Sequence, residues 1–200
     1  NVEIFIGTLE RANQKLIDTI LTNHFHNVKG IGIQWAGKGA ISTIHQTYPH
    51  LKIYQSEQEC GNGLNDWKAG HNAWDLMKLY LKNGTNAYMY WNTSLKKGGI
   101  STWGWHQNSL VSVDTVNHTY TYNYEYYILK HLSHYVKPNA KRVETKGDSS
   151  NILAFLNEDK SVVMMIQNET DQPKTFNIKI GAKIITPTLA ADSYNTFLLN

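Results

Sequence analysis

The first residues whose type and position could do chemistry are the acids of Gln55-Ser56-Glu57-Gln58-Glu59-Cys60-Gly61, which close an apolar run starting at Leu51. A carboxylate at the carboxyl end of a parallel strand lies where the loops of α/β folds gather their ligands. Glu57 is therefore a candidate site residue, with a pair of solvated loop acids as the plain alternative. The two acids do not make a catalytic pair by themselves. Residues i and i+2 of a strand share one side, with Cβ atoms about 6–7 Å apart. Glycosidase carboxyl groups, about 5–5.5 Å apart for retention or 6.5–9.5 Å for inversion, must flank the scissile bond from opposite sides of the sugar. Glu59 thus reads as a supporting or subsite residue.

Two indoles and two amides belong to the same end of the strand pattern. Trp35 closes the run from Val28 and Trp91 the run from Asn86, with Gln34 and Asn92 beside them. A lone tryptophan is more often core filling. Two at equivalent strand ends around a carboxylate read as walls for a sugar ring, and amides supply paired hydrogen bonds to hydroxyls. Trp105 and Asn108, in the long connection after Trp91, are positioned to close over that opening. Twelve Tyr, six Trp and twenty Asn, with Lys as 17 of the 19 basic residues, suit a neutral, hydroxyl-rich ligand, although biased source composition accounts equally for them.

Other chemistries have less behind them. His24 with His26, and His131 with His134, have local spacing for a metal, but no cysteine or convergent acid completes a set, so a metal site is not expected. Cys60 has no basic partner nearby and Ser56 no glycine-framed turn, so thiol and hydroxyl nucleophiles are unsupported. One cysteine cannot form an internal disulfide. A net charge of +3 without a clustered cationic stripe argues against nucleic acid as a partner. Four matches to the N-glycosylation pattern, at Asn83, Asn92, Asn117 and Asn168, read as asparagine richness. No apolar run approaches the roughly 18–20 residues of a bilayer span, and Asn1 to Ile6 lacks the succession of a signal peptide.

The elements that must position these groups change character along the chain. Strand-like runs at Val2 to Ile6, Val28 to Trp35, Leu51 to Ser56 and Asn86 to Trp91 alternate with helical patterns at Arg11 to Asn23, Gly39 to Gln46 and Ala73 to Leu81. Such a series makes a parallel sheet through right-handed crossovers. A doubly wound sheet and half of an eight-stranded barrel both fit, and Gly37-Lys38-Gly39 is too short for a dinucleotide fingerprint. Strands Leu110 to Val116 and Thr119 to Tyr122 follow, then a helix over Glu125 to Tyr135 with Tyr127, Leu129 and Leu132 inward. Beyond residues 136 to 140 only short strands and polar turns remain, at Lys141 to Thr145, Ile152 to Leu156, Ser161 to Gln167, Lys174 to Ile180, Lys183 to Thr188 and Tyr194 to Leu199, which predicts a small antiparallel sandwich.

Gly30-Ile31-Gly32-Ile33-Gln34-Trp35, Tyr54-Gln55-Ser56-Glu57-Gln58-Glu59-Cys60-Gly61, Tyr88-Met89-Tyr90-Trp91-Asn92, Trp103-Gly104-Trp105-His106-Gln107-Asn108-Ser109 and Glu125-Tyr126-Tyr127 through His134 together resemble the carboxyl-terminal half of glycoside hydrolase family 30, which includes lysosomal glucosylceramidase. Each motif alone is weak, and their common order is specific. The resemblance implies an α/β plus all-β fold: the second half of a (β/α)8 TIM barrel over residues 1–136, strands five to eight and the last helix, followed by an antiparallel β-sandwich over 137–200. It implies that Glu57 is the nucleophile of a retaining β-glycosidase acting on glucosides or β-glucan. Trp91 and Trp105 would then line the sugar site, and Asn108 would approach its hydroxyls. The family's acid/base glutamate belongs to a strand preceding this segment, so the isolated chain is expected to be inactive. Gln34-Trp35-Ala36 stands where glucosylceramidase has His-Trp-Tyr, so ceramide is not implied as aglycone. The resemblance further implies a carbohydrate or glycoside substrate, an amino-terminal half-barrel or a second copy across the opening as partner, and a secreted or cell-surface location. A non-catalytic carbohydrate-binding or structural protein of the same architecture is the alternative, and unpacked interior residues among Ile4, Ile31, Ile33 and Tyr88 are expected of an open half-barrel.

Overall fold

The structure is a computed structural model that describes residues 2–24 and 27–200, so that His26, and with it the His24–His26 pairing, lies outside the described residues. Two compact units divide the chain, Asn1–Tyr127 and Ile128–Asn200.

In the first unit, β1 (Ile4–Arg11), β2 (Val28–Ala36), β3 (Lys52–Glu57) and β4 (Thr85–Tyr88) form one parallel sheet in sequence order. Each parallel step needs a crossover. These are α1 (Gln14–His24), a 3₁₀ turn at Gly37–Ala40 leading into α2 (Ile41–Thr47), and α3 (Trp67–Lys82). α3 begins earlier than its apolar stripe suggests, because the Asp66 carboxylate caps it by accepting the Ala69 N–H at 2.9 Å.

Strand register assigns the two faces of the sheet. Ile6, Ile31, Ile53 and Thr85 form one row and Leu9, Ile33, Gln55 and Tyr88 the next. Ile31, Ile33 and Ile53 are fully buried against Ile17 and Leu21 of α1, Ile41 and Ile44 of α2, and Tyr80 of α3. The expectation of Ile31, Ile33 and Tyr88 as unpacked barrel-interior residues is therefore corrected: they face the helices, and only Ile4 is left exposed. The opposite face carries Phe5, Gly30, Gly32 and Tyr54. The rings of Phe5 and Tyr54 lie 4.5 Å apart, and a Cβ at Gly30 would collide with the Phe5 ring. Glycine at that position lets the two rings meet over β2.

After β4 the chain adds a small sheet, with β5 (Ser94–Lys96) parallel to β6 (Val111–Asp114) and β6 antiparallel to β7 (Thr119–Tyr122). β4 ends at Tyr88, so Trp91 lies in the following loop rather than at the strand end. β5 was invisible to periodicity because three residues cannot display an alternation. α4 (Tyr124–Ser133) buries Glu125, Ile128 and Leu132, a stripe offset from the expected one, and leaves Tyr127 exposed.

The second unit is built on an antiparallel sheet in the order β15 (Ser193–Leu199), β10 (Val162–Asn168), β9 (Ile152–Leu156), β8 (Lys141–Val143). The two segments expected as Lys174 to Ile180 and Lys183 to Thr188 form a hairpin in which β11 (Lys174–Thr175) pairs with β14 (Thr188–Leu189), and β12 (Ile178–Ile180) with β13 (Lys183–Ile185). Pro187 interrupts the ladder because it has no N–H to donate; its carbonyl still accepts from Phe176 N at 2.9 Å. Phe176 and Leu189 of this hairpin bury against Ile166 of the sheet. Among the described residues, no helix is long and apolar enough to cross a membrane, and no group of three or more His, Cys, Asp or Glu could hold a metal ion.

Candidate active site

The carboxyl ends of β2 and β3 are adjacent, and Gln34 lies directly across from Glu57 in register. The register slips between Ile33 and Gln34, and Trp35 adopts a left-handed backbone with φ 47°. From there its indole reaches the neighbouring strand, where Nε1–H donates to Oε1 of Glu57 at 2.7 Å. A hydrogen bond to a carboxylate is stronger than one between neutral groups, so Glu57 is oriented at one oxygen. No other hydrogen bond or ion pair holds Glu57 among the described residues. Its second oxygen therefore has no partner among the described residues.

Glu59 is differently placed. Lys38 Nζ bonds its Oε1 and also donates to the carbonyl oxygen of Trp35 at 3.3 Å. One carboxylate of the pair is thus neutralised by a cation and the other is not. Gln58, between them, accepts the Tyr88 hydroxyl. Cys60 is buried, and burial together with the neighbouring charge of Glu57 pushes its thiol pKa up, which disfavours a thiolate nucleophile.

A strap formed by Gln107, Asn108 and Ser109 fastens the surrounding loops. Asn108 N–H donates to the Cys60 carbonyl, its Oδ1 accepts from Gly63 N at 2.6 Å, and its Nδ2 donates to Oε1 of Glu125 at 2.6 Å. Gly61, at φ 66°, approaches so closely that a Cβ would strike the Asn108 amide. Asn92 completes the strap from the β4 side, its Nδ2 donating to the Asn108 carbonyl and to Gln107 Oε1, each at 3.2 Å. Asn92, expected only as a supporting residue beside the site, and Asn108, which the resemblance places near the sugar hydroxyls, hold the loops after β3 and β4 together.

Glu125 is only 1% exposed, and its Oε2 has no hydrogen-bond partner. Burial pushes its carboxyl pKa up, against a smaller lowering by hydrogen bonds that include that from Asn108. Tyr90 is raised as well, by burial first and then by the charge of Glu125. Trp91 and Trp105 lie exposed on loops. The structure therefore joins Gln34, Trp35 and Glu57, ties Asn92 to Asn108, and presents Trp91 and Trp105 at the surface. Sequence reasoning missed Lys38 and Glu125. In the sequence Lys38 stands inside a short glycine pair, and as a lone cation three residues after Trp35 it is a signal for an ion pair at the acid-rich rim. Glu125 had the bare signal of an acid in the first turn of a helix.

Residues 139–197 match the family model described as the Glycosyl hydrolase family 30 beta sandwich domain. No curated protein matches the chain in sequence. Among solved structures, SrfJ from Salmonella typhimurium is similar with a TM-score of 0.80 at 22% identity, over 92% of this chain and 45% of that one. An endo-beta1,6-glucanase is similar with a TM-score of 0.80 at 20% identity, over 93% of this chain and 45% of that one. The family 30 subfamily 8 xylanase Xyn30A from Clostridium acetobutylicum has a TM-score of 0.72 at 18% identity, over 98% and 55%. At these identities the likeness is one of fold, and the chain spans about half the length of the structures it matches.

Proposed function

We propose that this chain is the carboxyl-terminal half of a retaining β-glycosidase, with residues 1–136 as the second half of a (β/α)8 barrel, 137–200 as its sandwich, and Glu57 as the nucleophile. The observation that carries this reading is the 2.7 Å bond from Trp35 to Glu57 at the carboxyl ends of adjacent parallel strands, where one carboxylate is oriented and left without a cation. The sandwich match and the glycanases of like fold support a β-glucoside or β-glucan substrate. Glu57 attacks the anomeric carbon as the bond to the leaving oxygen breaks, and a carboxylic acid on the amino-terminal half of the barrel protonates that oxygen. Water, deprotonated by the same second residue, then displaces Glu57 with net retention. Trp91 and Trp105 wall the sugar, Gln34 offers an amide, and the buried Asn108 sets the loops beside it rather than touching the sugar. No metal or organic cofactor enters this scheme. Its partners are the amino-terminal half-barrel, or a second copy across the opening, and the parent is secreted or cell-surface.

The test uses the full-length parent and an aryl β-glucoside. Glu57→Gln should lower turnover by orders of magnitude, and Glu57→Gly with azide should yield the glycosyl azide of inverted configuration, since azide enters from the side the carboxylate occupied. Near-normal turnover in both variants would reject the assignment. A wild-type parent that binds glycans but cleaves none would favour the non-catalytic alternative.

A further inference from the structure

The loop from Gly98 to His106 is a built structure at whose tip two indoles stand in the open. Gly99 N donates to Lys96 O and Gln107 N to Gly99 O, each at 2.8 Å, and Ile100 bridges His106. Within the loop, Ser101 N donates to Trp105 O at 2.8 Å, Gly104 N to Ser101 O at 3.0 Å, and Trp105 N to Ser101 Oγ at 3.2 Å. At its base, Gln107 and Asn108 belong to the strap that holds the loops after β3 and β4. Trp103 is 70% exposed and Trp105 58%. Their ring centroids are 6.1 Å apart with planes tilted by 34°, and neither indole N–H has a hydrogen-bond partner among the described residues.

We infer that Trp103 and Trp105 form a two-ring platform for consecutive sugars of an oligosaccharide, so that the substrate is a glycan chain rather than a glycoside of a small aglycone. This rests on the reading of the site as glycosidic and extends it to Trp103, which that reading does not use. The two exposed indoles, 6.1 Å apart between centroids and tilted by 34°, offer apolar ring surface to the C–H faces of adjoining sugars, while each free N–H can donate to a hydroxyl. Residues 98–106 contain no Asp, Glu, Lys or Arg, which suits a neutral ligand. The hydrogen-bonded loop fixes the rings before binding, which lowers the ordering cost of association. A lipid surface would also accept exposed indoles, but insertion sets no constraint on their mutual tilt, and a platform does.

The experiment is affinity electrophoresis and titration of the 200-residue chain with glucose, a panel of differently linked β-glucotetraoses, and xylotetraose. At least one tetrasaccharide should bind and glucose should not; Trp103→Ala should weaken tetrasaccharide binding about tenfold or more, and Trp103→Phe should restore most of it. At 70% exposure Trp103 carries little of the fold, and an unchanged unfolding midpoint in Trp103→Ala verifies this. Failure of the whole panel to bind, equal binding by Trp103→Ala, or Trp103-dependent sedimentation with phosphatidylcholine–phosphatidylserine vesicles without tetrasaccharide binding would overturn the platform. Binding here needs no turnover, so the two readings fail separately. Full turnover by a Glu57→Gln parent would sink the nucleophile and leave the platform, whereas loss of turnover there beside Trp103-independent binding would sink the platform alone.

Discussion

Asn108 Nδ2 donates to Glu125 Oε1 at 2.6 Å between two buried side chains, while the same amide's oxygen accepts the Gly63 N–H. One side chain thereby joins the loop after β3 to the start of α4. Asn108→Ala strands both partners, and leaving buried polar groups unpaired costs about 1–3 kcal/mol each. The expected loss is about 2–4 kcal/mol in urea unfolding. All six tryptophans lie in the first unit, so intrinsic tryptophan fluorescence reports it selectively. A loss below about 0.5 kcal/mol would contradict the strap.

Glu125 gives that stability a pH dependence whose sign is set by burial. Its folded carboxyl pKa lies above the ordinary 4.5, so between 4.5 and the folded value the native state holds more protons than the unfolded one. Stability of the first unit therefore falls as pH rises through that window. Glu125→Gln should remove the fall, gaining on wild type as pH increases. A constant difference across the window, measured by urea titration, would show that the carboxyl does not titrate as described.

In the second unit the sign reverses. His131 Nδ1 lies 3.0 Å from Thr196 Oγ1, and that hydroxyl donates to the His131 carbonyl at 3.1 Å, so Nδ1–H is the donor in the ring contact. Burial, then Lys130, lowers the imidazole pKa below 6.5. Below 6.5 the unfolded state takes up the proton more readily, and stability is lost as pH falls toward the folded value. The amide signals of β9 and β10 in urea titrations should show this loss in wild type and its absence in His131→Gln.

Much of this was legible because the chain writes its sheet in plain alternation. Gly30-Ile31-Gly32-Ile33 puts large side chains on one face of β2 and none on the other, and that face is the helix side. What stayed hidden lies in side-chain contacts between segments remote in sequence. Lys38 meets Glu59 only because β2 and β3 are neighbours, and Asn108 meets both Gly63 and Glu125 only once the loops are folded. Trp91 was misplaced for the opposite reason: an aromatic run, Tyr88 to Trp91, continues the apolar pattern past the last ladder hydrogen bond.

The face of the sheet opposite the helices carries Phe5 and Tyr54 in partial exposure. The isolated chain should self-associate through it, and light scattering should give a mass above the 22.8 kDa monomer. Phe5→Asp should shift the population toward monomer. A wild-type monomer with one sharp unfolding transition for the first unit would argue against an open half-barrel.

Trp35 offers the most direct test of the site, because its two contributions separate by substitution. Trp35→Phe keeps an aromatic wall but removes the N–H that orients Glu57 at 2.7 Å. Hydrogen bonds to charged groups are worth about 1.5–3 kcal/mol, so kcat/KM of the parent on an aryl β-glucoside should fall roughly 10- to 100-fold. Lys38 acts one step further out, joining the Trp35 carbonyl to Glu59. The pair is about one-third exposed, so Lys38→Met and Glu59→Gln should each cost no more than about 1 kcal/mol in the same assay. Since both variants cut the same tie, their effects should not add in the double variant. Additive losses would separate Lys38 from Glu59, and a Trp35→Phe parent with undiminished kcat/KM would mean that the indole wall, and not its N–H, is what Glu57 requires.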